Sequence, residues 1–351
     1  MTRIAVFLLF VLMGKTMMAD STKVVGKKNT RIALYPFAFI SKETSLSAGF
    51  ASLYFLPSKS DSTHFSNIQI TAQHSLKQQT NLEFWYQLFF KHDRYRVYGF
   101  ADYNRFPALF FGTGEMPCMA EMYTSKFQRV RISALKRLNR NWLGGVRYWY
   151  ENFELQEYEP AGLLSGLSRH HRLSAPGLVL QRDTRSNQFF PSKGMFFEIS
   201  AIQPNRSLGG STNFHLFSFD LRKYNTLHSH LILATQLFLQ LESGNPSYNQ
   251  LSMAGGPRIL RGYYQGKFRD KNLIALQQEL RFILSEKFKW VVFGSIGNVN
   301  SRILAPTVLL MSGGTGIRLA LDKEKQMHLR GDFAISKHNE SGVYLMLEEA
   351  F

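Results

Sequence analysis

Apolar and polar residues alternate with period two along most of this chain, most clearly from Leu231 to Leu241. The odd-numbered positions of this segment are all leucine except Thr235, whereas its even-numbered positions include Gln236 and Gln240. Successive side chains of a β-strand point to opposite faces, so the pattern predicts a strand with one apolar and one mostly polar face.

The same alternation recurs in segments of roughly ten residues, the length with which a tilted strand crosses a membrane. Sixteen such segments are predicted, at 32–41, 46–57, 64–75, 81–91, 94–104, 121–135, 140–155, 173–183, 194–204, 213–224, 229–242, 272–284, 289–299, 312–321, 326–336 and 342–351. An even number places both chain ends on one side, the periplasmic side of a bacterial barrel. The connections 156–172 and 242–271 are then extracellular, and 183–194 is a periplasmic turn.

Two all-β architectures fit this pattern. In a soluble sandwich the apolar faces pack against a second layer. In a membrane barrel they meet lipid, while the polar faces line the lumen. The scarcity of helical periodicity, the export signal described next and the final Phe351 favour an all-β, transmembrane antiparallel β-barrel of 16 strands. Its last strand is expected to place Val343, Leu345, Leu347 and Phe351 on one face. A secreted β-sandwich is the alternative.

The N-terminus predicts export. Arg3 precedes an apolar run from Ile4 to Met13, and a cleavage is expected before Asp20. The run is about ten residues long, whereas a membrane helix needs ~20. We therefore expect a signal peptide at 1–19, a short periplasmic segment at 20–30 and an outer-membrane barrel domain at 31–351.

Charge and composition narrow the function. The chain of 351 residues carries a net charge of +17, and loss of Arg3 and Lys15 with the signal peptide leaves 17 − 2 = +15. An exported protein meets no nucleic acid in its normal work, so outer-membrane lipid and lipopolysaccharide are the expected acidic partners. A solvated basic face with no partner is the alternative. The single cysteine, Cys118, excludes an intramolecular disulfide. The sequence contains no nucleophile elbow, metal-ligand spacing or glycine-rich phosphate loop, so we expect no enzyme activity, no metal and no cofactor.

One long loop contains the residues most suggestive of a function. Gly255, Gly256 and Pro257 break regular structure, and Arg261-Gly262-Tyr263 follows them before the predicted strand 272–284. A glycine beside an arginine lets the backbone come close while the guanidinium reaches a buried carboxylate. An ordinary basic surface loop is the alternative interpretation.

The order of four motifs resembles the bacterial surface-antigen barrel of the outer-membrane assembly-factor superfamily, which includes BamA, TamA and two-partner secretion translocators. The similar segments are Leu260-Arg261-Gly262-Tyr263, Asp183-Thr184-Arg185-Ser186-Asn187 with Pro191 and Gly194, Phe110-Phe111-Gly112-Thr113-Gly114, and the C-terminal strand ending at Phe351. Together they span most of residues 31–351. The resemblance implies that the loop folds into the lumen, that Asp183, Arg185, Pro191 and Gly194 belong to a strand-eight turn, and that Phe351 ends an insertion signal.

In that family the loop arginine pairs with acids on strands twelve and thirteen. Glu279 matches the first acid and should point inward, opposite Leu280. Ser295 stands where the second acid is expected, which leaves a neutral hydroxyl at this anchor. Asp332, inward on strand fifteen, is the candidate to replace it, with Arg318 and Arg330 competing for the same carboxylate. These charges could also be an ordinary wet lining of the lumen.

Pro36 lies in the first predicted strand, where it removes one donor from the strand ladder. It marks either a weakened seam between the first and last strands or a late strand start. In the resembled family, lateral opening of this seam lets substrate strands pair with the barrel edge.

The resemblance implies a barrel that assists assembly, insertion or translocation of other outer-membrane or surface proteins. Its expected partners are unfolded outer-membrane proteins and accessory assembly subunits, and its expected location is the cell outer membrane. The periplasmic polypeptide-transport repeats of the larger members have no counterpart in segment 20–30. The alternative function is therefore a passive pore or structural barrel that has lost the assembly role.

Overall fold

The computed structural model describes residues 32–41, 45–56, 64–302, 308–323, 325–347 and 349–351. Within these ranges the chain forms one antiparallel sheet of 16 strands, in which each strand pairs with the next strand of the sheet. The strands are β1 (Ile32–Ser41), β2 (Ser45–Phe55), β3 (Asn67–Ser75), β4 (Thr80–Phe90), β5 (Tyr95–Phe110), β6 (Glu121–Arg137), β7 (Trp142–Glu157), β8 (His170–Asp183), β9 (Gly194–Ile202), β10 (Asn213–His228), β11 (Leu231–Asn245), β12 (Asn272–Ile283), β13 (Phe288–Asn300), β14 (Leu310–Asp322), β15 (Met327–Ser336) and β16 (Ser341–Met346). The predicted sixteen-stranded antiparallel barrel architecture is confirmed.

The predicted alternation separates the two faces of the sheet. On β12, Leu276 and Leu280 are exposed, whereas Gln277, Glu279 and Arg281 between and beside them are buried. Exposed apolar side chains recur around the sheet, at Phe50, Ile70, Leu82, Phe84, Ile132, Val146, Leu178, Phe217, Trp290, Ile317, Phe333, Ile335, Val343 and Leu345. An apolar belt of this extent would promote aggregation in water, whereas a membrane barrel needs such a belt to contact the hydrocarbon of the bilayer.

The inner face is polar and filled with side chains. Five of the largest fully buried side chains are arginines, namely Arg96, Arg261, Arg281, Arg318 and Arg330. A buried charge is stable only when it is paired or hydrogen-bonded. The lumen therefore contains networks of ion pairs.

The last strand is shorter than predicted. β16 ends at Met346, and Phe351 is 3% exposed instead of sharing the outer face with Val343 and Leu345. The expectation that residues 342–351 form one strand with Phe351 outward is thus wrong. The alternation continues in the sequence, but the described tail residues, Glu349–Phe351, have polar and apolar partners in the lumen that alternation alone cannot reveal.

Among the described residues, no helix is both long and apolar enough to cross a membrane. The predicted signal peptide at 1–19 and the segment at 20–30 lie outside the described residues.

Candidate functional site: a loop anchored inside the barrel

The long connection between β11 and β12, residues 246–271, enters the lumen, and we call it the lumen loop. Leu260, Arg261 and Tyr263 at its tip are each 1% exposed or less. Apolar contacts hold the loop against the wall, in a cluster that contains Ala254, Leu260, Tyr263, Phe268, Leu273, Ala275, Val299 and Leu310. A short ladder between Ser252–Met253 and Arg269–Asp270 closes its base.

Gly262 allows the tip to approach the wall closely. Its φ is +106°, and a Cβ atom there would lie 3.0 Å from the backbone carbon of Ile335 on β15. Its N–H donates to the Tyr344 hydroxyl at 2.9 Å. Only glycine combines this left-handed backbone with so short a distance to a neighbouring strand.

Arg261 bridges two strands of the wall. Its Nη2 donates to Glu279 Oε1 on β12 at 2.7 Å, and its Nη1 donates to Asp332 Oδ2 on β15 at 2.6 Å. Its Cζ lies 3.5 Å from the ring centroid of Phe293 on β13. Two charge-assisted hydrogen bonds and a cation–π contact thus fix one guanidinium.

Ser295 has a different partner. Among the described residues its hydroxyl pairs with the Ser312 hydroxyl, at an Oγ–Oγ distance of 2.7 Å. The structure therefore brings Arg261, Glu279 and Asp332 together and leaves Ser295 aside.

Tyr263 fastens the tip to β14. Its hydroxyl donates to the Met311 carbonyl oxygen at 3.0 Å and accepts from the Met311 N–H at 3.1 Å. Tyr263 also forms an edge-on contact with Phe268, with ring centroids 5.5 Å apart. The three residues Arg261-Gly262-Tyr263 therefore contact five consecutive wall strands, β12 to β16.

Two further arginines bind the carboxylates of the anchor, and sequence reasoning assigned no partner to one of them, Arg281. Arg281 Nε donates to Glu279 Oε2 at 2.9 Å, and Arg318 Nη1 donates to Asp332 Oδ1 at 2.6 Å. For Arg318, the sequence predicts only competition with Arg261 for Asp332. The inward position of Arg318 on an alternating strand was the available signal, but its partners come from distant parts of the sequence.

The turn after β8, residues 184–193, lies at the opposite end of the barrel. Asp183 accepts from Arg185 Nε at 2.9 Å and from Arg96 Nη1 at 3.2 Å. Burial acts against the charged form of Arg185, but the Asp183 carboxylate raises the pKa of this guanidinium above its ordinary value. Pro191 is buried in the same turn. Gly194 has a φ of +98° and packs against Thr184.

The turn also reaches across the barrel. Asn187 Nδ2 donates to the carbonyl oxygen of Lys325 in the β14–β15 turn at 3.2 Å. Phe190 is 2% exposed and contacts His328, with ring centroids 4.8 Å apart. The lumen is thus crossed by protein at both ends.

Pro36 lies within β1, opposite Phe50 of β2. β1 and β16 are the two ends of the sheet, and in the described ranges no ladder joins them. The residues that the structure describes include no group of three or more His, Cys, Asp or Glu side chains placed to hold a metal ion.

A family model described as the Omp85 superfamily domain matches residues 65–345. The chain belongs to the Omp85 superfamily. No curated protein matches the sequence significantly.

Three solved structures show how far the likeness of this Omp85 barrel extends. BamA from Haemophilus ducreyi lacking POTRA domains 1–3 has 13% sequence identity and a TM-score of 0.60, with 91% of this chain and 70% of that chain covered. CdiB from Acinetobacter baumannii has 12% identity and a TM-score of 0.57, with 90% and 65% covered. CdiB from Escherichia coli has 12% identity and a TM-score of 0.60, with 92% and 63% covered. This chain thus spans less than two thirds of either CdiB, and at these identities the likeness is one of fold.

Proposed function

We propose that this Omp85 barrel assists the insertion or translocation of other outer-membrane or surface proteins. It would act in the cell outer membrane, surrounded by lipid and lipopolysaccharide. Its partners would be unfolded outer-membrane proteins, together with accessory assembly subunits.

The seam between β1 and β16 is the observation that carries this proposal. Both edges present backbone groups that no ladder occupies in the described ranges, and Pro36 removes one donor from β1. An edge with free backbone groups is a template for a strand of another chain. The mostly apolar outer face of β16, with Val343 and Leu345 exposed, would let such a strand pass from the seam into lipid.

The filled lumen supports protein handling over passive diffusion. Arg261 ties the lumen loop to β12 and β15, and the turn at 184–193 crosses the other end of the barrel. A wide aqueous channel needs an open interior, as in large porins. A polypeptide that passed into the membrane through the seam would not need an open interior.

A cross-link across the seam tests the proposal. We would replace Leu34 and Leu345, both exposed on the outer face, with cysteine in a Cys118→Ser background and join them with a short bifunctional thiol reagent. The readout is insertion of a urea-unfolded, eight-stranded model outer-membrane protein into proteoliposomes, measured by protease protection. The cross-linked barrel should lose most of this activity, and cleavage of the linker should restore it.

The matched control is a cysteine pair at Phe333 and Val343. These residues face each other on β15 and β16, which are already paired, so a bond there leaves the seam free. Undiminished insertion by the seam-locked protein, or an equal loss in the control, would refute the proposal.

A further inference from the structure

Glu279 and Asp332 each divide their carboxylate oxygens between the lumen loop and a second arginine. Glu279 Oε1 accepts from Arg261 and Oε2 from Arg281, at 2.7 and 2.9 Å. Asp332 Oδ2 accepts from Arg261 and Oδ1 from Arg318, both at 2.6 Å. Arg281 and Arg318 therefore each share a carboxylate with the loop arginine, Arg261.

The same two arginines hold the described tail residues. Arg318 Nε donates to both carboxylate oxygens of Glu349, at 3.0 and 2.7 Å. Arg281 Nη2 donates to the backbone oxygen of Phe351 at 3.0 Å. We call Glu349–Phe351 the tail.

The tail has an apolar seat as well. Ala350 and Phe351 are 5% and 3% exposed and pack in one cluster with Tyr224 of β10 and Ala234 of β11. The Glu349 carboxylate binds Arg318, and Ala350 and the Phe351 ring pack in this apolar cluster. This complementarity indicates a specific seat inside the barrel.

Charge makes the tail and the loop dependent on each other. The central cluster contains the guanidinium groups of Arg261, Arg281, Arg318 and Arg330 and the side-chain carboxylates of Glu279, Asp332 and Glu349. Arg281 Nη1 and Arg318 Nη2 already have no acceptor among the described residues. Among the described side chains that pair with these arginines, Glu349 is the carboxylate that is not shared with Arg261, and departure of the tail would remove it. Arg318 would then have Asp332 as its remaining carboxylate partner. A buried guanidinium without a counter-ion is strongly unfavourable, so Arg318 would compete with Arg261 for Asp332.

We propose that the tail is an internal ligand of the barrel, and that its seat on Arg318 and Arg281 sets how firmly the lumen loop is held. With the tail seated, Glu349 satisfies Arg318 and leaves one oxygen of Asp332 for Arg261. With the tail withdrawn, Arg318 competes for Asp332 and the loop loosens. The loop tip and the last described residues thus form one linked unit. The link stands independently of protein handling, because the purified barrel alone would display it.

Spin-label mobility on the lumen loop tests this link. Gln265, exposed near the tip, would be replaced with cysteine in a Cys118→Ser background and labelled in the full-length barrel in detergent. Glu349→Gln should raise the ratio of mobile to immobile label about fivefold or more, the lower range of coupling between sites. Glu349→Asp, which keeps the charge, should restore most of the immobile signal.

Three controls make the outcome decisive. Glu286→Gln removes an equal charge from an exposed turn, where Glu286 pairs with Lys323, and should leave the label unchanged. In an Asp332→Asn background, Glu349→Gln should have a much smaller effect, because the shared carboxylate is already absent. Heat-modifiable gel migration reports whether each variant is folded. A folded Glu349→Gln barrel with the mobility of the parent protein, or an equal effect of Glu286→Gln, would overturn the proposal.

Discussion

Arg261 pairs with Asp332 of β15 and not with Ser295 of β13. Asp332 Oδ2 accepts from Arg261 Nη1 at 2.6 Å, whereas the Ser295 hydroxyl pairs with Ser312. The anchor of the lumen loop therefore spans β12 and β15 and passes over Phe293 of β13. This geometry ties the loop to a strand adjacent to β16 of the seam.

Asp332→Asn should destabilise the barrel far more than Ser295→Ala. The first change removes the charge that faces Arg261 and Arg318 in a buried site, which costs about 3–5 kcal/mol. The second removes one hydrogen bond between neutral hydroxyls, worth about 1 kcal/mol. Urea unfolding in detergent micelles measures both. Equal effects of the two substitutions would show that Asp332 is not the second anchor.

Arg261→Ala should release the lumen loop and leave Glu279 and Asp332 each short of one donor. We expect a loss of about 3–5 kcal/mol in the free energy of unfolding. Arg261→Lys should recover only part of it, because one ammonium cannot reproduce the planar fork that meets two carboxylates. Arg206→Ala, at an exposed position outside the strands, is the matched control and should change stability by less than about 0.5 kcal/mol. Hydrogen exchange at residues 246–271 would locate the loosened segment.

Bilayer recordings should distinguish a plugged barrel from a passive pore. The parent protein should give small, flickering currents because the lumen loop and the turn at 184–193 cross the lumen. Arg261→Ala should give larger and longer openings, since the loop tip loses both carboxylate contacts of Arg261. Large steady currents from the parent protein would instead favour the passive pore.

Gly194→Ala should impair the strand-eight turn more than the same change at Gly209. Both glycines have positive φ, at +98° and +86°, so each alanine adopts a left-handed backbone at a cost of about 1–2 kcal/mol. Only at Gly194 would the new Cβ lie 2.1 Å from the Thr184 carbonyl oxygen, whereas nothing lies within 4 Å at Gly209. Thermal unfolding of the two variants should therefore differ, with Gly194→Ala the less stable. Equal melting temperatures would mean that the turn relaxes without cost.

The sequence by itself determined the architecture. Alternation with period two, as from Leu231 to Leu241, is a local property of each strand. It located all sixteen strands and separated their outward and inward faces, except at the end of the last strand. Glu279 was assigned inward for the same reason, since its neighbours Leu280 and Phe282 alternate with it. The likeness of Arg261-Gly262-Tyr263 to a known motif pointed to an inward loop.

Only the tertiary structure decided which charges meet. Alternation says that Arg281, Arg318 and Asp332 face the lumen, but not which of them are within 3 Å of one another, because that depends on strand stagger and on the path of the loop. The tail is the clearest case. Period-two alternation placed Phe351 outside, whereas Arg318, Arg281 and Tyr224 hold Glu349 and Phe351 inside. These partners are supplied by β10, β12 and β14, and only folding brings the three strands to one place.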